Sequence, residues 1–170
     1  MLLFQVCGQM ERKRNKYRVV GTVTLETERL ILRRFQESDV EGVYKNWGHQ
    51  KEPYRYQWCI ELKEKKESIG AIWLSNYKEE SKSIAAGFCI GVDYRAKEYC
   101  TEALKRIVQY MKEINSKRIR EIRGTNDVDN PTSGKVFQNA GFTFYGIEYL
   151  YSESLKKCGY VCLELQIINA

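Results

Sequence analysis

The feature that most limits what this chain can fold into is a change of hydrophobic period near residue 99. Cys100, Ala103, Leu104, Ile107, Val108, Met111 and Ile114 recur at the three-and-four spacing of one helical face. Before them, three apolar segments, Tyr56–Leu62, Ser68–Tyr77 and Ser83–Val92, are separated by the polar stretches KEKKE and KEESK, which predicts hairpin-connected strands. A helix with one apolar stripe has to bury it, and the sheet just made is the nearest apolar surface.

The remaining segments fit the same plan. Thr24–Phe35 alternates Leu30, Leu32 and Arg34 against Ile31, Arg33 and Phe35, which predicts one strand. Ser38 and Asp39 offer the N-cap of a short helix reaching Trp47, and Gly48–Pro53 breaks it. Ile119–Arg123 reads as a short strand. Asn130 as N-cap, Pro131 at the first helical position, and Val136, Phe137 and Ala140 before Gly141 predict a compact helix. Phe142–Leu150 and Gly159–Ile168 close the chain as two strands. The order is strand, helix, three strands, helix, strand, helix, two strands, an α/β fold with an α+β type of mixed sheet.

Composition excludes several classes. With 170 residues, of which 43% are hydrophobic and 29% charged, the chain has the make-up of a single domain with a core. No apolar run approaches the roughly 20 residues of a spanning helix. Met1–Cys7 is too short for an export signal, and its positive charges follow it instead of preceding it, so the expected location is cytoplasmic. Six cysteines (Cys7, Cys59, Cys89, Cys100, Cys158 and Cys162) form no CxxC, and His49 is the only histidine, so no metal site is expected and the thiols should be reduced. A lone His49 without a GxSxG or a cysteine signature gives no support to a hydrolytic triad.

The net charge of +6 is uneven. Residues 1–20 hold five basic residues from Arg12 to Arg18 against Glu11 alone, giving +4 and leaving +2 for the other 150. We read 1–20 as a basic leader, with Met10 as an alternative start, and 21–170 as the folded domain. No aromatic stripe accompanies the leader, which argues against nucleic-acid binding; ribosome association through this arm is the weaker alternative.

Chemistry is most readily placed where Ser83–Val92 meets the long helix. The strand ending CIGVDY, the loop RAKEYC and the helix TEALKRIVQYMKE set backbone N–H groups and a positive helix end beside the carboxyl end of a strand. Arg95 and Lys97 add positive charge there, which suits a diphosphate.

TLETERLILRRFQESD, AGFCIGVDY, RAKEYCTEALKRIVQYM and NDVDNPTSGKVFQNAGF, in that order, resemble the GNAT acetyltransferase superfamily, in the branch of the ribosomal-protein-alanine N-acetyltransferases. The resemblance spans nearly all of 24–168. It implies transfer of acetyl from acetyl-CoA to an amine, in a V-shaped cleft between two splayed strands, by direct attack in a ternary complex. Arg95, Ala96, Lys97, Glu98, Tyr99 and Cys100 match the loop that cradles the CoA diphosphate, with Thr101 following in the first helical turn. Backbone groups of Cys89, Ile90, Gly91 and Val92 match the strand that pairs with the pantetheine arm and supplies an oxyanion donor. Asn130 matches a cofactor contact, and Ser133 the residue that returns a proton to the CoA thiolate.

The pattern is broken at five places. Cys100 stands in place of Gly or Ala and is small enough to be tolerated. Glu98 replaces the central glycine of the loop, threatening a clash, a lost left-handed conformation or repulsion of a dianion, unless its side chain points to solvent while its amide still donates. Ala85 stands where relatives carry a general-base Glu, and Phe137 where others have a proton-donating Tyr. Between Trp47 and Tyr56, where relatives place a second helix, only GHQKEPYR remains, which leaves the acceptor pocket open or completed by a partner in a homodimer. Glu102 reads as structural support for the helix. Glu98 and Ala85 keep a second reading in view, a GNAT-fold protein that binds acyl-CoA or a protein partner without turnover.

Overall fold

The computed structural model describes residues 23–42, 56–114, 119–128, 131–152 and 156–166. The basic leader, the helix end at Trp47, His49, the GHQKEPYR segment and Asn130 therefore lie outside the described residues. Eight strands form one sheet: β1 (Leu25–Glu26), β2 (Leu30–Arg33), β3 (Tyr56–Leu62), β4 (Glu67–Lys78), β5 (Ser83–Ile90), β6 (Glu121–Asp127), β7 (Thr143–Ser152) and β8 (Lys156–Gln166), in the order β1-β2-β3-β4-β5-β6-β8-β7. The helices α1 (Tyr99–Glu113) and α2 (Pro131–Asn139) lie with it among the described residues in a mixed α/β architecture, and residues 40–42 are also helical.

The apolar stripe of α1 does what its period requires. Ala103, Leu104 and Ile107 are fully buried, and α1 packs over β1, β2, β4 and β5 while α2 packs over β6 and β8. Under α1 the sheet contributes Leu30, Leu32, Ile72, Leu74 and Ile84, all essentially inaccessible. Trp58 anchors the other end: its ring meets Tyr110 edge-on at 6.3 Å, and its Nε1 donates to the Val23 carbonyl at 3.0 Å. No helix among the described residues is long and apolar enough to cross a membrane.

Several expected boundaries move. The strand expected over Thr24–Phe35 is a hairpin, with Leu25 opposite Leu32. The Thr27 N–H donates to the Leu30 carbonyl at 3.0 Å, and the Leu30 N–H donates to the Thr27 hydroxyl at 2.9 Å. The turn is closed by a side chain, a device that hydrophobic alternation does not register. The N-cap expected at Ser38 or Asp39 falls on Gln36, ahead of a 3-10 turn at Glu37–Asp39, because the Asp39 carboxylate reaches back to the Gln36 N–H at 2.7 Å. β5 ends at Ile90 instead of Val92, since a 3-10 turn at Val92–Tyr94 takes over. The strand expected at Ile119–Arg123 starts at Glu121 and runs on to Asp127, because β8 offers it a partner that far.

Asp39 also organises a buried ionic network. The Arg33 guanidinium donates to both of its oxygens at 2.8 Å and to Glu61 at 2.5 Å, and the Ser68 hydroxyl donates to it as well. Burial pushes the Asp39 carboxyl up, but Arg33, Ser68 and the Gln36 N–H outweigh it and hold the group below the usual carboxylate range. A group whose folded pKa is lowered stabilises the fold above the unfolded value, about 4, and loses that contribution as pH falls through the folded one. Asp39→Asn is expected to cost about 3 kcal/mol at pH 7 by leaving the half-buried Arg33 with Glu61 as its remaining carboxylate. Urea titrations at pH 7 and in acid should show the gap between the two proteins closing as pH drops.

Candidate active site

The site begins with a defect inside the sheet. β5 and β6 run parallel and pair over Ser83–Ala86 and Glu121–Gly124 only. Beyond that point β5 stays paired to β4, with Cys89 opposite Ala71 and Ile90 opposite Gly70, while β6 stays paired to β8 as far as Asp127. Two neighbouring strands therefore diverge in the middle of a continuous sheet, which is the V-shaped cleft that the resemblance implies.

Phe137 of α2 sits where they part. A Cβ on Gly124 would lie 2.4 Å from the Phe137 ring, so only glycine admits this packing. Phe137 is 2% exposed, and its ring centre lies 5.2 Å from that of Phe88 on β5 and 5.1 Å from that of Phe142. Where a tyrosine would bring a hydroxyl, this chain has an apolar wedge spanning the base of the cleft.

Backbone direction along β5 selects the open groups. The Gly91 N–H donates to the Ile69 carbonyl of the β4 side at 2.8 Å. By the two-residue period of a strand, the amide of Cys89 faces β4 as well, and those of Phe88 and Ile90 face the cleft. Of Cys89, Ile90, Gly91 and Val92, it is the Ile90 backbone that the structure turns to the gap; Val92 lies beyond the strand, 67% exposed.

The loop from Arg95 to Cys100 closes the mouth onto α1. Ala96 and Glu98 both have left-handed backbones, at φ 58° and 63°. Glu98 thus keeps the conformation expected of the glycine it replaces, at a cost of about 1–2 kcal/mol. Its side chain is exposed and turns sideways, accepting a hydrogen bond from the Asn139 amide of α2 at 3.4 Å. The Thr101 hydroxyl, then Asn139, draw its carboxyl below the usual range, so it is ionised at neutral pH. As N-cap of α1, Glu98 makes no side-chain capping bond, and the amides of Tyr99, Cys100 and Thr101 in the first turn meet no such cap. Lys97 does not point at this end: its Nζ donates to the Asp93 carbonyl at 2.9 Å and lies 5.6 Å from the Tyr94 ring centre. Arg95 is exposed.

Ser133 is half-buried in the first turn of α2, and Asn130, just ahead of it, lies outside the described residues. Ala85 is opposite Ser75 on β4 and Arg123 on β6, so the position of the missing carboxylate is flanked by a guanidinium that Glu121 already pairs. Burial pushes the thiols of Cys59, Cys89 and Cys100 up to about 12, so each is protonated at neutral pH and none is poised as a nucleophile.

Two contributors escape sequence reasoning. Trp73 of β4 lies against Gly87, where a Cβ would meet the indole at 2.5 Å, so the ring rests on β5 at the level where the cleft opens. Arg29, in the β1–β2 turn, reaches across to α1: its Nε meets Glu102 at 2.6 Å, its Nη1 donates to the Lys97 carbonyl at 3.1 Å, and its guanidinium lies 4.6 Å from the Tyr99 ring centre. A surface depression of about 420 Å³, lined by Glu26, Thr27, Glu102, Lys105, Arg106 and Gln109, shares no residue with the cleft.

A splayed parallel pair that leads into a helix start without a side-chain cap is the arrangement that the resemblance implies. A family model for the acetyltransferase (GNAT) domain matches residues 44–143, and the chain belongs to that family. In structure it is similar to a GNAT-family acetyltransferase from Bacillus anthracis, with a TM-score of 0.67 at 18% identity over 85% of this chain and 99% of that one. It is also similar to a ribosomal-protein-alanine acetyltransferase from Vibrio fischeri, with a TM-score of 0.67 at 14% identity over 86% and 98% of the two chains. A third likeness is to RimL, a ribosomal alpha-N-protein acetyltransferase in complex with coenzyme A, with a TM-score of 0.68 at 15% identity over 85% and 98%. No curated protein matches the chain in sequence.

Replacing Glu98 by Gly should relieve the left-handed strain. Thermal unfolding of Glu98→Gly is expected a few degrees above the wild type, corresponding to about 1 kcal/mol; a lower midpoint would mean that the bond to Asn139 outweighs the strain.

Proposed function

We propose that the chain transfers acetyl from acetyl-CoA to a primary amine, with a protein N-terminal amine as the acceptor class. The observation that carries this is the cleft between β5 and β6, whose open β5 edge leads through Arg95–Cys100 to an uncapped helix start. A pantetheine arm is a chain of amides and pairs with a free strand edge; a diphosphate suits N–H groups at a positive helix end. The names of the ribosomal-protein acetyltransferases among the structural neighbours support a protein amine as acceptor.

On this reading the amides of Glu98, Tyr99, Cys100 and Thr101 bind the diphosphate, and Asn130 adds a contact from the start of α2. The Phe88 and Ile90 backbone groups align the arm, with Cys89, Gly91 and Val92 shaping that edge. Acetyl-CoA supplies a thioester carbonyl, and an amide of this edge, Ile90 in the geometry above, stabilises the oxyanion that develops there. The neutral amine attacks that carbon, forming the C–N bond. As the C–S bond breaks, Ser133 or a water gives a proton to the departing thiolate, and the ammonium proton leaves to water, which reprotonates the donor. No cysteine relay enters, since the described thiols near the cleft are protonated.

Ala85 supplies no carboxylate to take the proton, and it is the residue that favours a binder without turnover. The two readings separate in a thiol-release assay with acetyl-CoA and N-terminal peptides. The proposal predicts slow transfer whose rate climbs about tenfold per pH unit toward the acceptor's pKa near 8, with no break from an enzyme carboxylate or imidazole. Ala85→Glu should raise the rate at pH 7 by at least about tenfold. Acetyl-CoA binding with no transfer at any pH by either protein would favour the non-catalytic reading.

A further inference from the structure

We propose that Arg29 is a positioning residue that holds the Arg95–Cys100 loop in its binding shape and makes up for the glycine lost at Glu98. The inference rests on reading that loop as the diphosphate cradle. The observation behind it is one bond: the Arg29 Nη1 donates to the Lys97 carbonyl at 3.1 Å. That carbonyl belongs to the Lys97–Glu98 peptide, whose N–H is that of left-handed Glu98, and Lys97 itself follows left-handed Ala96.

Holding this carbonyl has two consequences. The φ angle of Glu98 is the rotation of that same peptide about its N–Cα bond, so a fixed carbonyl favours the left-handed setting that a Glu would otherwise leave. In a trans peptide the N–H points opposite to the C=O, so a carbonyl turned toward Arg29 turns the Glu98 N–H away from it. A cationic donor on the carbonyl also polarises the N–H into a stronger donor. Arg29 in this way sets both the direction and the strength of the loop amide that a glycine would have supplied without strain.

Arg29 is itself held on three sides. Its Nε meets Glu102 Oε2 at 2.6 Å, its own N–H donates to Glu102 Oε1 at 3.0 Å, and its guanidinium lies over Tyr99 at 4.6 Å. Glu102 also accepts from the Thr27 hydroxyl at 2.5 Å. Burial alone would raise the Glu102 carboxyl, but these bonds from Thr27 and Arg29 keep it below the usual carboxylate range, so it remains an anion. The β1–β2 turn and the first turn of α1 therefore form one clamp on the loop. Its planar fork bonds a carboxylate and a carbonyl at once, which a lysine ammonium does not reproduce.

The test compares wild type, Arg29→Ala, Arg29→Lys, Glu98→Gly and the double variant Arg29→Ala with Glu98→Gly. Each is titrated with acetyl-CoA and with acetyl-pantetheine, which ends before the diphosphate. Arg29→Ala and Arg29→Lys are expected to weaken acetyl-CoA by about tenfold, the size of one charge-assisted hydrogen bond, and to leave acetyl-pantetheine unchanged. In the Glu98→Gly background the same Arg29→Ala change should cost about threefold or less, because glycine holds the loop without help. Trypsin cleavage after Lys97 in the protein without ligand, read by mass, should be faster for Arg29→Ala than for wild type. Equal losses for both ligands, the same loss in both backgrounds, or unchanged cleavage would overturn the inference. If wild type binds neither ligand, the acetyl-CoA reading fails, and the cleavage rates alone decide whether Arg29 holds the loop. If Arg29→Ala does not fold, Arg29→Lys carries the comparison.

Discussion

The structure turns on the separation of β5 from β6 after four paired residues. Inside a sheet, backbone N–H and C=O groups normally find partners on the next strand, and leaving them without one is costly. Here the strands diverge while each stays paired on its other side, so the opening is a built feature of the sheet and not a frayed edge. Gly124 and Phe137 maintain it: the ring fills the place where a Cβ would stand, and Phe88 packs against the same ring from the other strand. An apolar wedge sets the opening, and polar backbone lines its edge.

The mouth of the opening is more strained. Two non-glycine residues hold left-handed backbones within three positions, at Ala96 and Glu98. Strain of this kind persists only where surrounding contacts over-determine it. On one side the Arg29–Glu102–Thr27 cluster ties the loop to the β1–β2 turn, and on the other Glu98 itself reaches Asn139 on α2. The negative charge of Glu98 is thereby directed sideways, and its backbone keeps a left-handed form.

Much of the fold was legible in the sequence, and the reason differs by element. The α1 stripe was legible because seven apolar positions share one helical face, and the observed Tyr99–Glu113 follows from them. Tyr56–Leu62 was recovered residue for residue, since β-branched and aromatic residues between polar turns leave few alternatives. The hairpin at Thr27–Arg29 was not, because alternation continues across a turn that a side-chain hydrogen bond closes. The cleft could be anticipated only by resemblance: no local pattern announces where two strands stop pairing. Arg29 was invisible for a plainer reason. Its partner carbonyl is 68 residues away, and a basic residue beside a turn otherwise reads as solvated surface. Lys97 shows the converse, a cation that looked aimed at an anion and that instead folds back onto Asp93 and Tyr94.

The central claim is that the cleft and its loop still receive acetyl-CoA although Glu98 stands in place of glycine. Its most direct test is a calorimetric titration of acetyl-CoA into the purified protein, at low and at moderate salt. The account predicts one site per chain with micromolar affinity, weakening as salt rises because a diphosphate meets a positive helix end. Absence of binding at millimolar acetyl-CoA would contradict it and would mean that the cleft has kept its shape without its cosubstrate.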